Sequence, residues 1–304
     1  MKKTRDMIME KTIWAGLNSP DIPISEADII VFGIPFDEGV SFRNGAKEAP
    51  RALREITYTI APTTEYFEDI SKLKVLDIGD FADTNRTELF KNVEDKVCEI
   101  VKTNKFFTMI GGDHSTTIPV HRGIDKALNE PFGIIHIDAH FDLCNELEGD
   151  SLSHGSTERR ALELKNVNSN DNLFFIGIRS VELDELEFMK NNNINVINSY
   201  DFHRLGVNMV VDEVKRKMKH LNKIYISLDI DCLDPAYAAG TGTPQFGGLN
   251  SRDLLDLLRG LFELPIIGFD VVEIAPSLDQ SLTSVFAGRK IIMECWGHYL
   301  RKNK

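Results

Sequence analysis

The chain has 304 residues, with 35 Lys+Arg against 47 Asp+Glu and a formal net charge of −12. Its 42% hydrophobic and 27% charged residues are ordinary for a globular protein and exclude a disordered tract, a collagen-like repeat and a disulfide-stapled miniprotein. The acidic balance argues against a broad nucleic-acid or anionic-membrane surface and is compatible with a cationic small molecule.

The first eleven residues, MKKTRDMIMEK, are basic, but charged residues and WAGLNSPDIP follow in place of an apolar segment, so no secretory signal is expected. IIVFGIP (29–35) and KVLDIGD (74–80) then read as buried strands, rich in β-branched residues and closed by Gly, Pro or Asp. ELFKNVEDKVCEIVKTN (88–104) is helical, with Leu89, Val93, Val97, Ile100 and Val101 on one stripe. KFFTMIGGD (105–113), FGIIHIDAH (132–140) and NLFFIGIRS (172–180) are three further strands, NMVVDEVKRKMKHL (208–221) a helix, and KIYISLDID (223–231) and IIGFDVVEI (266–274) the last two strands. SVFAGRKIIMECWGHYLRK (284–302) predicts a closing helix. Near-continuous apolar strands separated by helices imply a mainly parallel sheet covered on both faces, with its functional groups at the C-terminal strand ends. No linker, composition shift or repeat divides the chain, so residues 1–304 are expected to form one domain. No apolar run approaches the roughly 18 residues of a membrane span, so no membrane partner is expected. Cys98, Cys144, Cys232 and Cys295 lie far apart without a CxxC pair, which points to a reducing cytoplasm.

Three strand ends concentrate metal-ligand chemistry: Gly111-Gly112-Asp113-His114-Ser115, Asp138-Ala139-His140-Phe141-Asp142, and Asp229-Ile230-Asp231. In an extended strand, residues i, i+2 and i+4 share a face, so Asp138, His140 and Asp142 aim into one space, and Asp229 with Asp231 do the same. One DxD alone is commonly a turn or a cap, and Gly-Gly-Asp-His alone a strand-to-helix turn. Their conjunction in one sheet points to a dimetal centre, because clustered carboxylates raise one another's pKa and destabilise a fold unless cations compensate. Oxygen ligands with some imidazole and no thiolate favour Mn²⁺ over zinc or an iron–sulfur centre. His136 shares the face of Asp138 but lies deeper, and is expected to pack or to support. His121, His203, His220 and His298 fall in helical or loop stretches and are expected at the surface or in the core.

The sequence resembles the ureohydrolase family, the arginase/agmatinase group, and within it the bacterial agmatinases. The likeness runs through FGIPFDEGVSFRNGAKEAPRALRE (32–55), IGGDHS (110–115), IDAHFDL (137–143), LSHGS (152–156), SLDIDCLDPAYAAGTGTPQFGGL (227–249) and DVVEIAP (270–276). It implies a three-layer αβα sandwich around a mostly parallel sheet. It implies two Mn²⁺ per subunit, one held by His114, Asp138, Asp142 and Asp229 and the other by His140, Asp138, Asp229 and Asp231, with a bridging hydroxide that attacks a guanidinium carbon. Asp142 would relay a proton to the departing amine, His154 would exchange protons with solvent, and Glu273 would accept from the guanidinium. A homotrimer or homohexamer is also implied.

Agmatine, giving putrescine and urea, is the expected substrate. Arginases carry Asn where this chain has Cys144, with Asn145 adjacent. Glu146, Glu148 and Asp150 form an acidic loop that would attract an ammonium. Arginase, guanidinobutyrase and formiminoglutamase activities are the alternatives, and the last two would need a base such as Arg43 for a substrate carboxylate. Cys144 suggests sensitivity to oxidation, and Phe141 stands where Thr is commoner. A dimetal phosphoesterase would require a later Gly-Asn-His-Asp segment, which is absent. Gly240-Thr241-Gly242-Thr243-Pro244-Gln245 lacks the third glycine of a dinucleotide fingerprint.

Overall fold

Runs of Ile, Val and Phe that bury residues on alternating faces build the centre of the protein. The computed structural model describes residues 12–82, 85–167 and 169–303, and the basic N-terminal stretch read above lies outside them. The strands are β1 (Ile29–Gly33), β2 (Val75–Asp80), β3 (Phe106–Ile110), β4 (Gly133–Ile137), β5 (Leu173–Ile176), β6 (Asn195–Ile197), β7 (Ile224–Leu228) and β8 (Ile266–Val271). They form one sheet in the order β2-β1-β3-β8-β7-β4-β5-β6, with every neighbouring pair parallel.

Ile29, Val31 and Ile135 join one apolar cluster, while Ile30, Phe32 and Ile134 join another. This is the strand period of two, and it makes two cores, one on each face. The helices are α1 (Ala49–Thr57), α2 (Arg86–Lys102), α3 (Thr117–Ala127), α4 (Thr157–Ala161), α5 (Leu183–Asn191), α6 (Ser199–Leu205), α7 (Val207–Met218), α8 (Ser251–Leu261) and α9 (Thr283–Lys302). Leu53 of α1, Val210 of α7, Leu254 of α8 and Trp296 of α9 pack into the first cluster. Val93 of α2, Ile124 of α3 and Ala161 of α4 pack into the second. The result is the expected αβα sandwich. Asn85 starts α2 by accepting from the Glu88 N–H at 2.9 Å. No helix among the described residues is long and apolar enough to cross a membrane.

All seven strands read from the sequence are present, and the sheet is parallel throughout its described pairs. β6 was not anticipated, because a three-residue edge strand carries too little pattern to be recognised. The strands also end earlier than their apolar runs suggest: β3 stops at Ile110, β4 at Ile137 and β7 at Leu228.

Candidate metal centre and cleft

β3, β8, β7 and β4 are the four middle strands, and each hands its next residues to one place. His114 follows β3, Glu273 follows β8, Asp229 and Asp231 follow β7, and Asp138, His140 and Asp142 follow β4. The aspartates and His140 therefore do not converge by extended-strand alternation, as the sequence reading assumed. Asp138 Oδ1 accepts from the His140 N–H and Asp229 Oδ1 from the Asp231 N–H, both at 2.7 Å, so each pair closes a turn. Asp142 and Glu273 have left-handed backbones, with φ of 55° and 62°. At the β3 end Gly112 is required, since a Cβ there would lie 1.7 Å from Phe36 O.

His114 Nδ1 lies 3.0 Å from Asp138 Oδ2, 3.1 Å from Asp142 Oδ2 and 3.4 Å from Asp229 Oδ2. His140 Nδ1 lies 3.2 Å from Asp231 Oδ2 and 3.5 Å from Asp138 Oδ1. His114, His136, Asp138 and Asp142 bring ligand atoms together in one set and Asp138, His140 and Asp231 in a second, with Asp138 common to both and Asp229 at the edge of the first. The buried atoms His114 Nδ1, Asp138 Oδ2, Asp142 Oδ2 and Asp231 Oδ2 make no hydrogen bond, a costly state for polar groups unless something else satisfies them. Burial pushes Asp229 well above the usual carboxylate range, and Asp231 and Asp138 push it further. Unpartnered oxygens and imidazole nitrogens converging in a buried space fit divalent cations.

The sequence reading missed what stands behind His114. Its Nε2 is 2.8 Å from Ser227 Oγ, and Ser227 Oγ donates to Asp270 Oδ1 at 3.1 Å. Asp270 also accepts from Tyr225 OH and Thr117 Oγ1, both at 3.0 Å. Ser227 lies two residues before Asp229 on the same strand face, which was the one available signal. His136 stacks on His114 at 5.0 Å and brings its Nε2 to 3.1 Å from Asp138 Oδ2, so it stands within the first donor set and not behind it. His121 and His298 are buried, whereas His203 and His220 contact Gly248 O and Asn172 Oδ1 away from the centre.

A cleft of about 160 Å³ opens over the cluster, lined by His114, His140, Asp142 and Asp229 on its floor and by His154 at one side. Glu182 and Glu185, where α5 begins, line it as well, and no Lys or Arg does among the described residues. Glu185 Oε1 accepts from Leu143 N–H at 2.8 Å and Oε2 from Glu182 N–H at 2.9 Å. A larger cavity, about 280 Å³, lies at the opposite strand ends beside Lys105, Lys223 and Lys302. Lys223 donates there to Asn104 Oδ1 at 3.2 Å and Lys302 to Leu264 O.

Several loop expectations are corrected. Glu146 and Glu148 are exposed and do not line the cleft, while Asp150 pairs with Arg86 at 2.5 Å. Asn145 Oδ1 accepts from Arg160 at 3.1 Å, away from the cleft. Arg43 donates from Nε to Gly242 O at 2.9 Å and from Nη2 to Thr241 O at 3.0 Å and does not line the cleft. Burial pushes the Cys144 thiol up, with Glu185 and Asp184 adding to the shift, so it resists forming the oxidisable thiolate. Phe141 is core, edge-on to Phe175 at 5.2 Å.

His154, at the cleft wall, meets the buried Glu273. His154 Nδ1 is 3.0 Å from Glu273 Oε1, and its Nε2 lies 3.0 Å from Ser41 Oγ and 3.2 Å from Ser41 N. Glu273 Oε1 also accepts from the His114 N–H at 2.9 Å, while Oε2 takes no part in these bonds. Burial lowers the His154 pKa, but Glu273 outweighs it, helped by Asp142 and Asp113, and raises it to about 9.

Comparison with known proteins agrees with this geometry. Proclavaminate amidinohydrolase of Streptomyces clavuligerus is 33% identical over 275 residues, covering 86% of this chain and 84% of that one. An agmatinase of Escherichia coli O7:K1 is 33% identical over 276 residues, covering 89% and 87%. The crystal structure of agmatine ureohydrolase of Thermoplasma volcanium is similar at a TM-score of 0.84 and 30% identity, with 100% of both chains covered. The model of the arginase family matches residues 27–297, and with relatives a third identical across most of both chains, this chain belongs to the arginase family.

Proposed function

We propose that this arginase-family ureohydrolase cleaves the guanidino group of agmatine to putrescine and urea, using two Mn²⁺. His114, Asp138, Asp142 and Asp229 would hold one ion, and His140, Asp138, Asp229 and Asp231 the other. The observation that carries the reading is a His/Asp cluster that could hold metal, beneath a cleft lined by Glu182 and Glu185 and, among the described residues, by no basic side chain except histidine. Agmatine ends in a cation, whereas arginine and 4-guanidinobutyrate carry a carboxylate at that end. Arg43 and Arg179 are both committed to main-chain carbonyls, the latter to Asp231 O at 2.6 Å and Gln245 O at 2.9 Å. The names of the agmatinase relatives support the same substrate.

When bound, divalent cations supply Lewis acidity and, at neutral pH, a nucleophile drawn from water. The rest of the chemistry belongs to the chain. Asp142 accepts the N–H of the reacting group and passes a proton to the departing amine. Glu273 holds the His154 ring through Oε1, and its Oε2 accepts from the guanidinium. His154, at the cleft wall, exchanges protons with solvent. The same reading takes residues 1–304 as one domain acting in the cytoplasm as a homotrimer or homohexamer. A monomer in light scattering at micromolar concentration overturns that assembly.

The deciding experiment measures urea release by the Mn²⁺-loaded protein from agmatine, arginine and 4-guanidinobutyrate side by side. A preference for agmatine of about tenfold in kcat/KM, or ~1.4 kcal/mol at the transition state, is expected. A carboxylate-bearing substrate preferred over agmatine overturns the substrate assignment and leaves the hydrolase class standing. Turnover of a generic phosphate ester without urea release from any guanidino compound overturns the class as well.

A further inference from the structure

The segment that carries His154 runs on into a turn that grips the cluster from behind. α4 begins three residues after His154. The N–H groups of Glu158 and Arg159 both donate to Asp142 O at 3.0 Å. Thr157 Oγ1 donates to His114 O at 3.1 Å and to His154 O at 3.0 Å. Glu158 is wholly buried, and its Oε1 lies 3.1 Å from His136 Nδ1. The other nitrogen of that ring lies 3.0 Å from His140 O and 3.1 Å from Asp138 Oδ2.

A carboxylate at this depth is expensive, and an apolar side chain of similar volume would often pack as well or better. Simple space filling therefore explains it poorly. The alternative is orientation. With only Nε2 anchored, on the His140 carbonyl, the His136 ring can swing. With Glu158 at the far nitrogen, both ends are pinned, and the plane of the ring fixes the two oxygens it faces. From the sequence, Glu158 stands in the charged run Thr157-Glu158-Arg159-Arg160 and looks like an exposed helix start.

We propose that Glu158 is a positioning residue for the metal centre, holding His136 so that its Nε2 fixes the His140 carbonyl beside the Asp138 carboxylate. This rests on the metal-centre reading above. Outer partners of this kind alter metal affinity by about 10- to 100-fold when lost.

The test is calorimetric Mn²⁺ binding to the metal-stripped full chain, with melting temperature as the folding control. Glu158→Gln keeps an oxygen for Nδ1 and should bind within about threefold of wild type. Glu158→Asp keeps the charge but withdraws the oxygen, and Glu158→Leu removes it, so both should bind at least about tenfold more weakly. If the Leu variant does not fold, the Gln and Asp variants decide the matter. Wild-type affinity in Glu158→Asp, or a loss in Glu158→Gln as large as in Glu158→Asp, overturns the proposal alone. Failure of the wild type to bind Mn²⁺ overturns the metal-centre reading and this proposal with it.

Discussion

Glu273→Gln removes one charge and almost no volume. In the native protein Glu273 Oε1 sits 3.0 Å from His154 Nδ1, and His154 titrates at about 9 against an ordinary 6.5. At about 1.4 kcal/mol per pH unit, that gap is a preference for the imidazolium of roughly 3 kcal/mol. The Gln oxygen still accepts from Nδ1, so the ring stays where it is, but burial then acts with little opposition. The His154 pKa should fall by about 2. NMR titration of the ring in metal-stripped protein measures this directly. The sign for stability follows from the raised pKa. The stabilisation is complete below pH ~6.5 and is lost as pH rises through ~9, so the wild type should lose up to roughly 3 kcal/mol across that window. The variant should show little of that slope in urea denaturation. A His154 pKa within one unit of wild type in Glu273→Gln refutes the assignment of its charge state to this contact.

Asp229→Ala should abolish urea release and remove at least one metal per chain, as measured by elemental analysis after dialysis against Mn²⁺. An unchanged metal count sinks the proposed role of Asp229. Glu182→Lys puts a cation on the cleft wall and should lower kcat/KM for agmatine by tenfold or more while sparing 4-guanidinobutyrate; equal losses for both mean that Glu182 does not read the substrate's far end. Arg54 donates to Asp77 and Asp80 at the sheet edge, and its loss in Arg54→Ala leaves the Asp77 carboxylate buried without its cation. The expected cost is about 3 kcal/mol or more in denaturant unfolding, with the cleft unaffected.

The sheet was legible because its strands are apolar on both faces, and so was the centre, because its ligands cluster at strand ends. Asp138, His140 and Asp142 came out together even though the extended geometry used to group them is absent. Turn formation at Asp138 and the left-handed backbone at Asp142 reach the same convergence by another route. What stayed hidden depended on long-range contacts. Ser227 and Asp270 lie 43 residues apart and look like ordinary strand residues until β7 and β8 are paired. Glu182 and Glu185 enter the cleft because the β5–α5 loop folds over it, whereas Glu146 and Glu148, nearer in sequence to Asp142, face solvent. Charge in a loop can be read from sequence, but its direction cannot.

The backbones of Asp142 and Glu273 bear on how this protein can change. Both occupy a region that glycine enters freely and that costs a side-chain-bearing residue about 1–2 kcal/mol. Glycine at 142 would relax the loop while deleting a carboxylate from the cleft, whereas glycine at 273 would also forfeit the contacts with His154 and the His114 N–H. Improving heat resistance and keeping activity thus pull in opposite directions at Asp142, and together at Glu273. A laboratory evolution scored on melting temperature alone would select against Asp142 while keeping Glu273.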